Sequence, residues 1–139
     1  MDRRFRWLAV ALTCALAGTA HAQALTGTLK KIKDTGIVSL GIRESSVPFS
    51  YSDNQQKNIG YSRDIAARII DQIRTDLKLP NLTVKEIPIT SQNRIPLVQN
   101  GTIDFECGST TNTLERQKQA AFSDSIFLYG TWHSRDSLI

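Results

Sequence analysis

A chain of 139 residues, with 40% hydrophobic and 22% charged side chains, has the composition of one folded globular domain, and nothing in it points to disorder or repeats. The formal charge is +4, but Arg3, Arg4 and Arg6 against Asp2 place half of it in the first six residues, and the remaining +2 is dispersed. With no basic stripe and no aromatic set interleaved with one, nucleic acid is excluded as a partner class.

Residues 1–22 read as a secretory signal. A basic start precedes an apolar run from Trp7 to Ala17, and Ala20-His21-Ala22 supplies the small residues of a cleavage site. The run is about half of the roughly 20 apolar residues a bilayer-spanning helix needs, which argues against an anchor. Cys14 lacks the preceding small residue of a lipoprotein signal. After processing one cysteine remains, Cys107, so no intramolecular disulfide forms and the fold rests on a hydrophobic core. As a nucleophile Cys107 lacks an oriented base, because the remaining histidine, His133, lies in the C-terminal tail; a buried small apolar role is favoured.

Thr28 to Thr35 predicts a short helix, with Thr28 as N-cap and Gly36 as the stop. Ile37 to Ile42 reads as a buried strand with Arg43 at its carboxyl end, followed by polar residues and Pro48, which cannot extend a sheet. Phe49 to Ser52 and Asn58 to Tyr61, around the turn Asp53 to Gln56, predict a hairpin-like excursion. Tyr61 to Lys78 carries Ile65, Ile69, Ile73 and Leu77 at intervals of four, widened by Ala66 and Ile70. This predicts an amphipathic helix lying on a sheet, broken by Leu79-Pro80-Asn81. Leu82 to Ile87 alternates as a strand does. Thr90 to Arg94 leads into a helix over Ile95 to Asn100, closed by Gly101; Pro96 is tolerated only in a first turn, which places the start near Ser91 to Asn93. Ile103 to Cys107 predicts a strand, Gly108 to Asn112 a polar loop, and Thr113 a cap on a helix through Glu115, Arg116 and Gln119. Phe122 to Asp124 and Ile126 to Tyr129 predict a further strand.

Two segments differ from ordinary core or surface. Thr90-Ser91-Gln92-Asn93-Arg94 and Cys107-Gly108-Ser109-Thr110-Thr111-Asn112-Thr113-Leu114-Glu115-Arg116 each follow a strand, crowd hydroxyls and amides together, and end on an arginine where a helix begins. Unpartnered N–H groups at a helix N-terminus and a guanidinium fork suit a carboxylate or a phosphate. Alternating strands and helices predict an α/β fold with a mainly parallel sheet flanked by helices, and ligands of such sheets lie outside the carboxyl ends of the strands. Arg43, the Ser91–Arg94 loop and the Ser109–Arg116 loop all follow strands, which leaves convergence of the three arginines on one edge open. The plain alternative is three solvated surface arginines.

From about Leu29 to Thr131 the chain resembles the periplasmic glutamate/aspartate-binding proteins of bacterial ABC amino-acid importers. The likeness is carried by the stretches from Arg43 to Tyr51, Ile87 to Leu97, Asp104 to Asn112 and Glu115 to Asp124. The resemblance implies a type II periplasmic-binding-protein lobe, with L-glutamate or L-aspartate as ligand, ABC permease membrane subunits as partners of the intact family member, a periplasmic location, and neither cofactor nor metal. It further implies that Arg116, Thr111 and Ser109 hold the α-carboxylate, and that Arg43, Ser91 and Arg94 hold the side-chain carboxylate. Bidentate guanidinium pairs recognise carboxylates, and a neutral side chain at the distal end leaves buried charges unpaired.

The expected organisation is a signal over 1–22, an incomplete first lobe over 23–131, and an unrelated tail over 132–139, with the family's second lobe absent, as after a frameshift, a premature stop or a deliberate fragment. Such a chain is expected to bind acidic amino acids weakly or not at all. A non-functional remnant is one alternative. An enzyme on the same scaffold is another, with Glu44 and Glu106 as its candidate acid or base, but no histidine accompanies either, and the expectation is a binder and not an enzyme.

Overall fold

The computed structural model describes residues 25–128. The expected signal peptide, the tail over 132–139 and His133 lie outside the described residues.

Helix α1 (Gly27–Thr35) leads into β1 (Ile37–Ile42), with Gly36 at φ +67° accepting the left-handed turn between them. The helix begins one residue earlier than expected: Thr26 takes the N-cap position, its hydroxyl makes no capping bond, and Thr28 is helical. Strand β1 is buried from Val38 to Ile42 and forms the middle of a three-stranded parallel sheet, between β5 (Thr83–Pro88) and β6 (Phe105–Glu106). Ile37 pairs with Thr83 and Ile42 with Pro88, while Leu40 and Gly41 pair with Phe105 and Glu106. A central parallel strand is covered on both faces, and this explains why it is apolar apart from the small Ser39.

A second, antiparallel sheet is built from β2 (Ser45–Ser46), β3 (Ser50–Ser52) and β4 (Asn58–Ile59). The β3–β4 hairpin follows the sequence expectation; β2 does not, since its two residues pair before Pro48 interrupts the strand. Gly60 ends the excursion at φ +126°, packed so closely that a Cβ there would lie 2.5 Å from the Phe49 carbonyl oxygen.

Helix α2 (Tyr61–Leu77) covers the sheet, closed by Lys78 in the left-handed region. Its buried stripe is Ser62, Ala66, Ile70 and Leu77, whereas Ile69 is 41% exposed. The expected face was therefore centred one residue off: strict intervals of four drift around a helix of 3.6 residues per turn, and the seam corrects with a step of three at Ile73. Ile32, Val38, Leu40, Ile42, Ala66, Ile70, Leu77 and Leu82 form one core, against which Phe105 and Cys107 also pack.

Helix α3 (Arg94–Gln99) follows β5, and α4 (Leu114–Gln117) follows β6. Strand β6 is shorter than Ile103–Cys107, since Ile103 N–H donates to Leu97 O in α3 rather than to β1, while Asp104 N–H donates to Ser39 O of β1. The Asp104 carboxylate, almost fully buried, accepts from Ser39 N–H at 2.8 Å and from Lys31 Nζ at 2.9 Å, tying α1 to both strands. The strand expected over 122–129 is not formed over 122–128, and Tyr129 lies outside the described residues. A strand needs a neighbour's ladder of hydrogen bonds. The segment leans instead on aromatic rings: Phe127 meets Phe49 edge-on at 5.0 Å and Tyr61 at 6.1 Å, and Tyr61 Oη donates to Ile126 O at 2.7 Å.

Candidate ligand-binding site

Three loops leave the carboxyl ends of β1, β5 and β6 on one side of the sheet. The first is held by a buried polar cluster. Ser50 and Asn58, both under 10% exposed, donate to the Arg43 carbonyl at 2.9 and 2.6 Å, and Arg43 N–H donates to Ser50 Oγ at 3.0 Å. With its backbone fixed, Arg43 extends its side chain between loops, Nε donating to Ser46 Oγ at 2.9 Å and Nη1 to the Ile89 carbonyl at 3.2 Å.

The second loop starts where Ile89 N–H donates to Ile42 O. Thr90 and Asn93 then exchange side-chain-to-backbone bonds, Thr90 N–H to Asn93 Oδ1 at 2.7 Å and Asn93 N–H to Thr90 Oγ1 at 3.2 Å. These local bonds turn the chain into α3 and set Arg94 at its first position. The Arg94 residue is only 5% exposed. Its Nη2 donates to Ser91 Oγ at 2.9 Å, and its Nη1 donates to the Thr110 hydroxyl of the third loop.

In the third loop Ser109 Oγ lies 3.5 Å from Ser46 Oγ, Arg116 Nη1 donates to the Thr111 carbonyl at 2.9 Å, and the Thr113 hydroxyl caps α4 by accepting from Arg116 N–H at 3.3 Å. Between α3 and α4 opens a depression of about 630 Å³, lined among others by Gln92, Ile95, Thr111 and Arg116.

Arg43 reaches the third loop through Ser46 and Ser109, Arg94 reaches it through Thr110, and Arg116 lies within it. The three arginines are therefore neighbours. Burial is the main influence on the Arg94 guanidinium and pushes its pKa below the ordinary value; Glu106 opposes this, and the charges of Arg43 and Arg116 add to the lowering. Arg94 stays charged at any ordinary pH. The positive charge of this edge lies in the guanidinium groups rather than in helix ends: α3 has six residues and α4 four, and Asn93 and Arg116 N–H are already bonded to threonine hydroxyls.

From the sequence, Glu106 stands only as a candidate acid or base and Thr110 only as part of a polar loop, and their pairing with Arg94 is missed. The Glu106 carboxylate lies 3.7 Å from Arg94 Nη1, and Thr110 bridges the two, donating its hydroxyl hydrogen to Glu106 Oε1. The strand period held the clue. Phe105 and Cys107 pack on the core, so Glu106 between them points to the opposite face of the sheet.

A parallel sheet flanked by helices, with arginine-bearing loops at the carboxyl ends of its strands, defines a lobe of the type II periplasmic-binding-protein kind. The chain belongs to the bacterial extracellular solute-binding proteins, family 3, whose family model matches residues 38–133. It is 63% identical over 119 residues to the glutamate/aspartate import solute-binding protein of Salmonella typhimurium, a match covering 83% of this chain and 39% of that protein. To the protein of the same name from Escherichia coli K12 it is 61% identical over 125 residues, or 89% and 41% of the two chains. It thus spans about two fifths of the length of these relatives.

Among solved structures, an ancestral cyclohexadienyl dehydratase matches with a TM-score of 0.65 at 27% identity, over 77% of this chain and 42% of that one. A mutant of the arginine-bound form of domain 1 from TmArgBP matches with a TM-score of 0.62 at 27% identity, over 71% of each chain.

Proposed function

We propose that this chain carries a gripping wall for an acidic amino acid in the receptor of an ABC importer, exported to the periplasm by a signal over residues 1–22, with residues 23–131 as its first lobe. Arg116, Thr111 and Ser109 hold the α-carboxylate of L-glutamate or L-aspartate. Arg43, Ser91 and Arg94 hold the side-chain carboxylate, and a permease in the membrane receives the loaded receptor. The observation that carries this reading is the gathering of three arginines from three loops at one sheet edge, linked through Ser46, Ser109 and Thr110. A ligand with two carboxylates offers what such a cluster lacks, and an amide side chain does not.

The role is binding and not catalysis. Glu106 is engaged by Thr110 and Arg94, and burial chiefly, with Glu106 adding to it, raises the Cys107 thiol pKa and keeps the thiol protonated. Neither is poised as a base or nucleophile.

Among the described residues the ligand is held from one side, which leaves its outer face in water and screens part of the charge interaction, so binding is weak. Calorimetric titration of the purified chain with glutamate, aspartate and glutamine tests this. Weak heats with the two acids and much smaller ones with glutamine are expected. Equal responses to all three contradict the ligand class, and micromolar or tighter binding by the monomer contradicts the one-sided site.

A further inference from the structure

We propose that Glu106, acting through the Thr110 hydroxyl, is the residue that positions Arg94 and tempers its grip on a carboxylate. Its ligand arm rests on the acidic-amino-acid reading above, whereas its ligand-free arm does not.

The need for such a residue follows from charge. Arg43, Arg94 and Arg116 place three like charges around one sheet edge, and Arg94 has only 6% of its side chain exposed. A buried guanidinium without a counter-charge is costly, so a site awaiting an anion needs a resident one. Glu106, with 12% of its side chain exposed, is the carboxylate at hand.

The direction of the bonds fixes the geometry. A carboxylate only accepts and a guanidinium only donates. The Thr110 hydrogen is therefore committed to Glu106 Oε1, which leaves its lone pair for Arg94 Nη1. Ser91 takes Nη2 at 2.9 Å, so the guanidinium is pinned at both amino groups. Arg94 Nε and Glu106 Oε2 have no hydrogen-bond partner among the described residues.

Gly108 makes room for the carboxylate. A Cβ there would lie 2.9 Å from Glu106 Oε2 and 3.5 Å from Arg43 Cγ, so the bare backbone of Gly108 touches both the carboxylate and the Arg43 stem. A negative charge in that place holds Arg94 in the empty site and weakens the pull on an incoming side-chain carboxylate.

The ligand-free arm reads the Arg94 Nη–H signals, the groups bonded to Thr110 and Ser91, by NMR in the full chain. Wild type and Thr110→Ser are expected to give sharp, exchange-protected signals, and Thr110→Val, of equal shape but without the hydroxyl, to lose them while the amide signals of β1 and β5 stay in place. Retention of the wild-type signals in Thr110→Val overturns the positioning role.

The ligand arm compares L-glutamate with L-glutamine on wild type and Glu106→Gln. The affinity ratio is expected to rise about tenfold in the variant, the scale of one partly screened charge interaction. A merely structural role for Glu106 weakens both ligands alike, and an unchanged or lower ratio overturns the tempering role. If wild type responds to neither amino acid, the solute-binding reading fails, and the ligand-free arm still decides whether Thr110 and Glu106 position Arg94.

Discussion

Arg94 Nη1 lies 3.7 Å from Glu106 Oε1, and both side chains are largely withdrawn from water. Breaking such a pair from one side leaves a buried charge behind. Arg94→Ala is expected to lower stability by about 3–5 kcal/mol, while Arg94→Met combined with Glu106→Leu, which removes both charges, costs much less. Urea denaturation of the two variants measures the difference.

Two glycines with positive φ separate backbone strain from collision. Gly36 at +67° has open space around a built Cβ, whereas at Gly60, φ +126°, the Cβ meets Phe49 O at 2.5 Å and Pro48 O at 2.8 Å. Gly36→Ala is expected to cost about 1 kcal/mol for the left-handed conformation alone. Gly60→Ala adds the clash and is expected to cost roughly 2–4 kcal/mol. Thermal melts of both variants give the comparison.

The face of α2 is open to a similar paired test. Ile70 is 3% exposed and Ile69 41%. Ile70→Ala is expected to cost about 2–5 kcal/mol through lost transfer energy and a cavity. Ile69→Ala, on the outer edge of the stripe, is expected to cost well under half of that. Equal losses in denaturation would place the helix on the sheet by the wrong face.

Burial first, and the Glu106 charge second, raise the Cys107 thiol pKa, with a bond from Ser62 opposing them. The reactive form is the thiolate, so alkylation of Cys107 at pH 8 is expected to be much slower in the folded chain than in urea. The sign for stability follows from the same shift. The unfolded thiol ionises first, so the contribution is complete below the ordinary thiol value and is lost as the pH rises through the folded one. Alkylation rates across pH 7–10 measure it.

The sheet was legible because its period is local. Ile37 to Ile42 reads as one buried strand and forms β1 over those six residues, and Gly36, Gly101 and Thr113 mark their turns by backbone or hydroxyl chemistry that a sequence states outright. That Arg43, Arg94 and Arg116 each follow a parallel strand of one sheet was also legible, while spacing alone left their convergence open. Pairings between loops were not. That Thr110 joins Arg94 to Glu106, or that Ser46 lies between Arg43 and Ser109, depends on loop paths that no periodicity encodes. The strand expected after Phe122 failed for a related reason: an apolar run specifies burial, and what it pairs with is decided elsewhere in the fold.

The central claim is that these loops form one site for an acidic amino acid, and a backbone and arginine side-chain NMR titration of the chain with L-glutamate tests it most directly. Shifts are expected to cluster at Arg43, Ser91, Arg94, Ser109, Thr111 and Arg116, to saturate together, and to be much smaller with L-glutamine. Shifts at only one of the three loops, or a response centred elsewhere on the chain, would contradict it.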